Sequence, residues 1–575
     1  MDRHTALLAE AQTLAEAGRF DDALARLTRV LRSEPNHPGA LAGAAMTYQA
    51  KGDLVRAAYH ARRALAVEDV PRMRLLVARV LEHAGDLAEA RRVLAPLVEG
   101  PGAVPPACFR DAAMQCALGQ ADEAARRTRA WMDRWPGEAP MVQAHVKALT
   151  RLGDARAVVA ALREGVARFP ANRSFREWLA SAANYVDDLD EAAVVDLARE
   201  HAALLPAPGP TPPRRASDGL IRVGFVSPDF RTHAVAYFLA PLLRHLDPDA
   251  VRTFCYDTGD APDATTASLR AMAGSWRDCR GLRDDSIASL VRSDGIDVLV
   301  DLAGLTLGCT PGVFARRAAP FQVSYLGYAN TTAIPAMDAR IVDSHTDPPV
   351  AAWRGTERIV RLDPCFLCYQ PPGDLPDVTP RPDGPVVFGS FNALLKVTPR
   401  TVDLWSRVMA GVPGSRLIVK AWGLECEATR RRLDGLFTDR GVAESRLEFL
   451  HFSRTRAEHL ATYHRVDIAL DTFPYHGTTT TCEALSMGVP VVSRVGEVHR
   501  ARVGLSILSA VGLADLAATT DEAFVETAVG LANDPARRAA WRSAGPEGLR
   551  ARLVASPLGD GPGYAQRFKA LLEAL

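Results

Sequence analysis

An α-solenoid followed by an α/β region of two Rossmann-like lobes is the fold class this sequence predicts, and three observations predict it. A Gly followed five residues later by Ala recurs every 33 or 34 residues in the first part of the chain. A Pro/Gly-rich stretch then interrupts all periodicity. Beyond it, short β-rich apolar runs alternate with helical stretches, the texture of a doubly wound α/β protein. At 575 residues the chain exceeds what one core supports, so several domains are expected.

The Gly/Ala pairs are Gly18/Ala23, Gly52/Ala57, Gly85/Ala90 and Gly119/Ala124; the phase continues at Gly153, and Pro136 and Pro170 are also 34 apart. That is the tetratricopeptide period. In each unit two amphipathic helices meet at the glycine turn, and the alanine permits close approach. No unit buries its own face, so stacked units form a continuous core and a concave groove suited to an extended polypeptide; a packing spacer is the competing use. Helical spacing continues from Phe175 to Leu205 through Trp178, Leu179, Leu189, Val194 and Leu197. Residues 1–205 are therefore assigned to the repeat superhelix with its transition helices, and 206–219, PAPGPTPPRRASDG, to a linker.

From Ile221 the runs IRVGFVS, VRTFCYD, IDVLVDLAG, FQVSYLG and ARIVD read as strands of a first lobe, 220–380. After a second Pro/Gly-rich stretch, Pro371–Gly384, the runs PVVFGSFN, SRLIVKAW, LEFLHF, VDIALDT and PVVSRVG read as a second, 385–575. Two such lobes in tandem imply an enzyme with an interlobe cleft.

The 68 basic and 68 acidic residues cancel, which argues against a nucleic-acid or acidic-membrane partner. The N-terminal stretch MDRHTALLAEAQTLAEAGRF has scattered charges and no apolar core, so neither a signal peptide nor a membrane span is expected there, and the location is expected to be cytoplasmic. Nine cysteines without paired spacing, apart from Cys365 and Cys368, agree with a reducing compartment; that lone pair reads as two half-buried thiols rather than a zinc site.

Three constellations carry chemistry. In Asp467–Val492, DIALDTFPYHGTTTTCEALSMGVPVV, a strand is followed by a tight turn at His476-Gly477 and a helix that starts in a Thr run. Hydroxyls and free N–H groups at a helix start with no acidic residue in its first turn suit a diphosphate; Gly477 lets the backbone approach it, and Glu483 one turn on can accept from sugar hydroxyls. The bland alternative is that Thr478 caps the helix and Glu483 is solvated. Second, Lys396 follows the first strand of the second lobe, where it faces the cleft and can neutralise a leaving diphosphate, unless it is an ordinary surface lysine. Third, Asp229 and His233 follow the first strand of the first lobe and face the cleft from the other wall. Neither GxxxxGK[ST] nor a strand-following GxGxxG is present, which disfavours nucleoside triphosphate hydrolysis and hydride transfer.

Four blocks behind the repeats, VGFVSPDFRTHAVAYF, FQVSYLGYANTTAIPAMDARIVD, FGSFNALLKVTPRTVDLW and RAEHLATYHRVDIALDTFPYHGTTTTCEALSMGVPVVSRVGEVHRARVG, resemble the O-linked N-acetylglucosamine transferases of the SPINDLY type, glycosyltransferase family 41. The resemblance implies a GT-B fold whose second lobe binds most of a UDP-sugar donor. It implies Lys396 on the UDP phosphates, Thr479 and Thr480 on the pyrophosphate, His459 beside the uracil, Glu483 at the sugar and Arg456 near the nucleotide. Asp229 and His233 then lie close to the acceptor hydroxyl, and Leu326-Gly327-Tyr328 forms the loop beneath the sugar. Thr478 stands where many members have His, Ala393 where many have Gln, and Ala329 where Pro is common, which bears on the identity of the sugar more than on UDP.

The implied reaction is an inverting, metal-independent transfer of N-acetylglucosamine from UDP-GlcNAc to Ser or Thr of a protein held by the repeat groove. No cofactor is expected, because Lys396 and the Thr478–Thr481 helix start supply the positive charge at the diphosphate. The proton goes to His233, or to Asp229, or leaves on a phosphate oxygen or through water. Competing readings are a family member using another UDP-hexose or an Asn acceptor, and an inactive repeat adaptor. The Ala-, Arg-, Gly- and Pro-rich, Lys-poor composition suggests a GC-rich bacterial genome.

Overall fold

The computed structural model describes residues 3–213, 219–349, 353–373, 375–381 and 384–575. Residues 214–218 of the expected linker, and 374, 382 and 383 of the stretch between the lobes, lie outside the described residues. The chain forms two compact units, Met1–Arg151 and Leu152–Leu575.

The first unit is built of helix pairs: Arg3–Glu16 with Phe20–Ser33, Pro38–Lys51 with Leu54–Val67, Pro71–His83 with Leu87–Leu94, and Pro105–Ala117 with Ala121–Arg134. The repeat signature has a direct physical reading here. Gly18, Gly52, Gly85 and Gly119 all take φ between 74 and 86°, the left-handed turn that ends the first helix of each pair at little cost only in glycine. Ala23, Ala57, Ala90 and Ala124 are each 0% exposed, so a larger side chain there would push paired helices apart.

The second unit begins inside the region assigned to the repeats, at Leu152, and not at the 206–219 linker. The reason is tertiary. Helices Arg173–Ala182 and Glu191–Ala202 are tied to the lobes by Asn184, which donates to the Tyr328 hydroxyl at 3.0 Å, and by Glu191, which accepts from Asn330 at 2.9 Å and Arg500 at 2.7 Å. The helical reading of Phe175–Leu205 also breaks between these helices, and Leu189 lies in the break.

The first sheet contains β1 (Ile221–Ser227), β2 (Val251–Asp257), β3 (Ser275–Asp278), β4 (Val298–Asp301), β5 (Phe321–Ser324), β6 (Ala339–Val342) and β7 (Arg358–Arg361), in the order β3-β2-β1-β4-β5-β6-β7. The second contains β8 (Val387–Ser390), β9 (Arg416–Lys420), β10 (Leu447–Leu450), β11 (Ile468–Leu470), β12 (Val491–Arg494) and β13 (Ala517–Ala518), in the order β10-β9-β8-β11-β12-β13. All pairings are parallel, so both lobes are doubly wound with a switch point beside their first strand, β1/β4 and β8/β11. β3, β7 and β13 are edge strands that the apolar-run reading passed over.

One core runs through both lobes. The last helix, Gly561–Ala574, lies in sequence within the second lobe, yet Phe568 packs 6.5 Å from Phe225 and the Tyr564 hydroxyl meets that of Tyr325 in the first. Among the described residues no helix is long and apolar enough to cross a membrane.

Candidate active site

At the second sheet's switch point, the loop after β8 carries Asn392 and Lys396 and the loop after β11 carries Asp471–Thr478. Asp471 organises the turn: one carboxylate oxygen accepts from Gly477 N–H at 2.7 Å and the other from Ser493 Oγ at 2.7 Å. His476 is wholly buried: its ring accepts from Gly504 N–H at 3.0 Å through Nδ1 and donates from Nε2 to the Arg494 carbonyl at 2.8 Å, and its backbone N–H donates to the Arg500 carbonyl at 2.9 Å. Gly477 is required by its own neighbours, since a Cβ there would come within 2.4 Å of Thr480 Oγ1 and 2.9 Å of Asn392 Oδ1.

The helix Thr479–Ser486 starts from this turn with no acidic residue in its first turn, and Thr478 makes no side-chain cap. Thr480 Oγ1 donates to Asn392 Oδ1 at 3.1 Å. Thr479 Oγ1 is buried and has no hydrogen-bond partner among the described residues. A buried hydroxyl without a partner costs about 1–3 kcal/mol, so its persistence at a helix start points to a ligand that completes it. Lys396 donates from Nζ to the His476 carbonyl at 2.7 Å and lies 4.1 Å from the Tyr475 ring centroid, and desolvation pushes its ammonium down to about 8. The structure thus brings Lys396, Gly477 and Thr478–Thr480 together as a cluster of N–H, O–H and ammonium donors, the donor chemistry that suits phosphate groups.

Glu483, one turn into the helix and 5% exposed, faces His459 with Oε2 and Nε2 3.2 Å apart. His459 sits on helix Arg456–Ala461, opened by a capping box between Thr455 and Glu458, and its ring packs 5.8 Å from Phe391. Arg456 lies 4.0 Å over the ring of Tyr237 in the first lobe and 3.4 Å from the Tyr369 hydroxyl. Lys420, at the end of β9, was missed in the sequence; it is 3% exposed, held by Ser453 and Thr462, and desolvation moves it down to about 8. Its signal was a lysine closing an otherwise apolar strand, LIVK.

On the first lobe, Asp229 is buried and His233 opens helix Ala234–His245, its Nδ1 3.6 Å from Asp229 Oδ2 and 3.4 Å from Val235 N–H. Desolvation raises the Asp229 carboxyl and lowers the His233 imidazole, so both favour the neutral form relative to water. Tyr237 follows His233 by four residues, on the helix that His233 caps, and its ring lies 4.0 Å from the Arg456 guanidinium of the second lobe. Gly327 is dictated by packing, because a Cβ would lie 1.8 Å from the Leu302 carbonyl. Tyr328 is not brought to the phosphate socket by its hydroxyl, which is turned to Asn184. Cys365 and Cys368 are buried thiols, and among the described residues the one group of three metal-ligating side chains, His4, Glu34 and His37, lies in the repeat unit.

Two Rossmann-ordered lobes, one with lysines at its strand ends and one with a His/Asp pair after its first strand, define a two-lobed, doubly wound α/β protein. The model of glycosyl transferase family 41 matches residues 205–369 and 378–567, and a tetratricopeptide-repeat model matches 14–69. The chain belongs to glycosyl transferase family 41. The Arabidopsis thaliana protein named probable UDP-N-acetylglucosamine–peptide N-acetylglucosaminyltransferase SPINDLY is 41% identical over 352 residues, 60% of this chain and 38% of that protein. The similarly named SEC protein of the same plant is 29% identical over 356 residues, 59% of this chain and 35% of that one. A solved O-GlcNAc transferase of Thermobaculum terrenum, a lysine-to-methionine mutant, is similar with a TM-score of 0.80 at 34% identity, covering 88% of this chain and 97% of that one. The chain spans 38% of the length of the plant SPINDLY relative, so it covers well under half of such proteins.

Proposed function

We propose that this protein transfers N-acetylglucosamine from UDP-N-acetylglucosamine to Ser or Thr hydroxyls of protein acceptors, inverting the anomeric centre and without a metal ion. The observation that carries the reading is the phosphate socket, in which the Lys396 ammonium and the unpartnered Thr479 hydroxyl converge on one helix start. The names of the plant relatives and of the T. terrenum structure supply the sugar.

In this reaction the acceptor oxygen bonds to the sugar C1 while the bond from C1 to the β-phosphate oxygen breaks, and UDP leaves with the electron pair. Lys396, the helix start and Thr479 neutralise the charge that grows on that oxygen, the work a metal does elsewhere. Glu483, next to His459, is placed to accept from sugar hydroxyls. The acceptor proton passes to His233, held neutral by its surroundings, or through water to Asp229. The repeat unit offers the groove for an extended acceptor chain.

Calorimetric titration with UDP, UDP-N-acetylglucosamine and UDP-glucose, in EDTA, tests the donor side, with GDP as the nucleotide control. Binding that requires Lys396 and survives EDTA supports the proposal; a need for divalent cation, or preference for GDP, overturns it.

A further inference from the structure

Tyr185 closes the short turn Ala183–Tyr185 between helices Arg173–Ala182 and Glu191–Ala202, far in sequence from the phosphate socket. Its ring stacks on Tyr475, with centroids 4.9 Å apart and planes 17° apart. The Lys396 ammonium stands 4.1 Å from the Tyr475 centroid, and with one face covered by Tyr185 it takes the other. A second arm joins the same two segments: Glu191 accepts from Arg500 at 2.7 Å, the Arg500 carbonyl accepts from His476 N–H at 2.9 Å, and the His476 carbonyl accepts from Lys396 Nζ at 2.7 Å. The turn itself is held by Asn184, which donates to the carbonyl of Ala180 at 3.0 Å and accepts from Asn330 at 2.9 Å.

We propose that Tyr185 is a positioning residue for Lys396: through Tyr475 it holds the ammonium at the phosphate end of the donor site, so the helical segment 183–191 sets donor affinity. A ring clamped between another ring and a cation has one orientation, and its electron-rich face stabilises the charged amine. The other groups around the ammonium are Asp471, which favours its charge, and the His476 ring; Arg340 and Arg500 face Tyr475. The kinetic part of this inference rests on the donor-site reading of Lys396, and the structural part does not.

The chain has five lysines, Lys51, Lys147, Lys396, Lys420 and Lys569, so reductive 13C-methylation gives a countable set of NMR signals, with Lys396→Ala assigning the one of interest. In Tyr185→Leu the Lys396 titration midpoint is expected to fall by about half a pH unit as the cation–π contact loosens. Donor KM should rise about threefold while kcat changes less, and Tyr185→Phe should keep both wild-type values. The inference is overturned if Tyr185→Leu titrates and binds as Tyr185→Phe does. If the lysine signal moves but the wild-type protein binds no UDP, the positioning stands and the donor reading fails. Should the other four signals show that Tyr185→Leu is unfolded, Glu191→Gln, which weakens the Arg500 arm while leaving the Tyr185 ring in place, must move the Lys396 midpoint in the same direction.

Discussion

At the first sheet's switch point the strand ends carry carboxyl groups, Asp229 after β1, Asp257 closing β2 and Asp301 closing β4, all buried; at the second sheet's, the same places carry ammonium groups, Lys396 after β8 and Lys420 closing β9. Both sheets have the 3-2-1-4 order at their heart, so topology puts a ligand at each mouth without choosing its charge. Asp301 is pushed up to about 6 by burial, and Asp229 and Asp257 are raised as well. An acidic mouth repels a diphosphate and suits a neutral hydroxyl that must lose a proton; the cationic mouth does the reverse. Asp471, the acidic exception in the second lobe, is consumed by the Gly477 and Ser493 hydrogen bonds.

The largest effect should come from removing the cation. Lys396→Ala takes one charge-assisted hydrogen bond from the diphosphate, worth about 1.5–3 kcal/mol, so UDP affinity falls at least tenfold and turnover, where phosphate charge peaks, falls further. His233→Ala should lower kcat by about a hundredfold, the ordinary worth of general-base catalysis, with UDP affinity unchanged. Calorimetry beside steady-state kinetics on both variants checks this; a loss of UDP binding in His233→Ala would erase the division of labour between the two mouths. Thr479→Val sharpens the same comparison. Its hydroxyl has no partner among the described residues, so its loss should hold or raise the thermal midpoint, because an apolar replacement removes the cost of a buried unpaired group, while UDP affinity falls by about 1 kcal/mol.

How much of this could be read along the chain differs between the same two regions. β1 and β2 coincide with the runs IRVGFVS and VRTFCYD because central parallel strands are buried on both faces and read as continuous apolar stretches. β3, SWRD, and β7, RIVR, sit at sheet edges, where charged residues are tolerated and the signal vanishes. In the site, the Thr run and Lys396 were legible because each is a local motif with its own chemistry. Lys420 and the Tyr185–Tyr475 stack were not, because their meaning arises only when segments distant in sequence are packed together. The boundary at Leu152 was hidden for the same reason: helices 173–182 and 191–202 keep helical spacing and still pack on each other, but the segment they form is also bound to Tyr328, Asn330 and Arg500 of the lobes.

Protons give the finest discrimination. With Lys396 near 8 in the free protein, against 10.5 in an open chain, a sizeable fraction of molecules carries a neutral amine at pH 8. A bound diphosphate favours the cation, so UDP binding above pH 8 must draw in a proton, and affinity should fall with rising pH towards a limit of one decade per unit. Folding responds with the opposite sign: the native state holds fewer protons than the unfolded one between about 8 and 10.5, so this group's contribution to stability is full above 10.5 and is lost as pH falls through 8. Calorimetry of UDP binding at pH 8.5 in two buffers of different ionisation enthalpy reads the uptake directly. A fractional proton taken up by the wild-type protein and absent in Lys396→Ala assigns it to the cationic mouth, whereas uptake that persists in Lys396→Ala but disappears in Lys420→Met would move the titrating cation from β8 to β9.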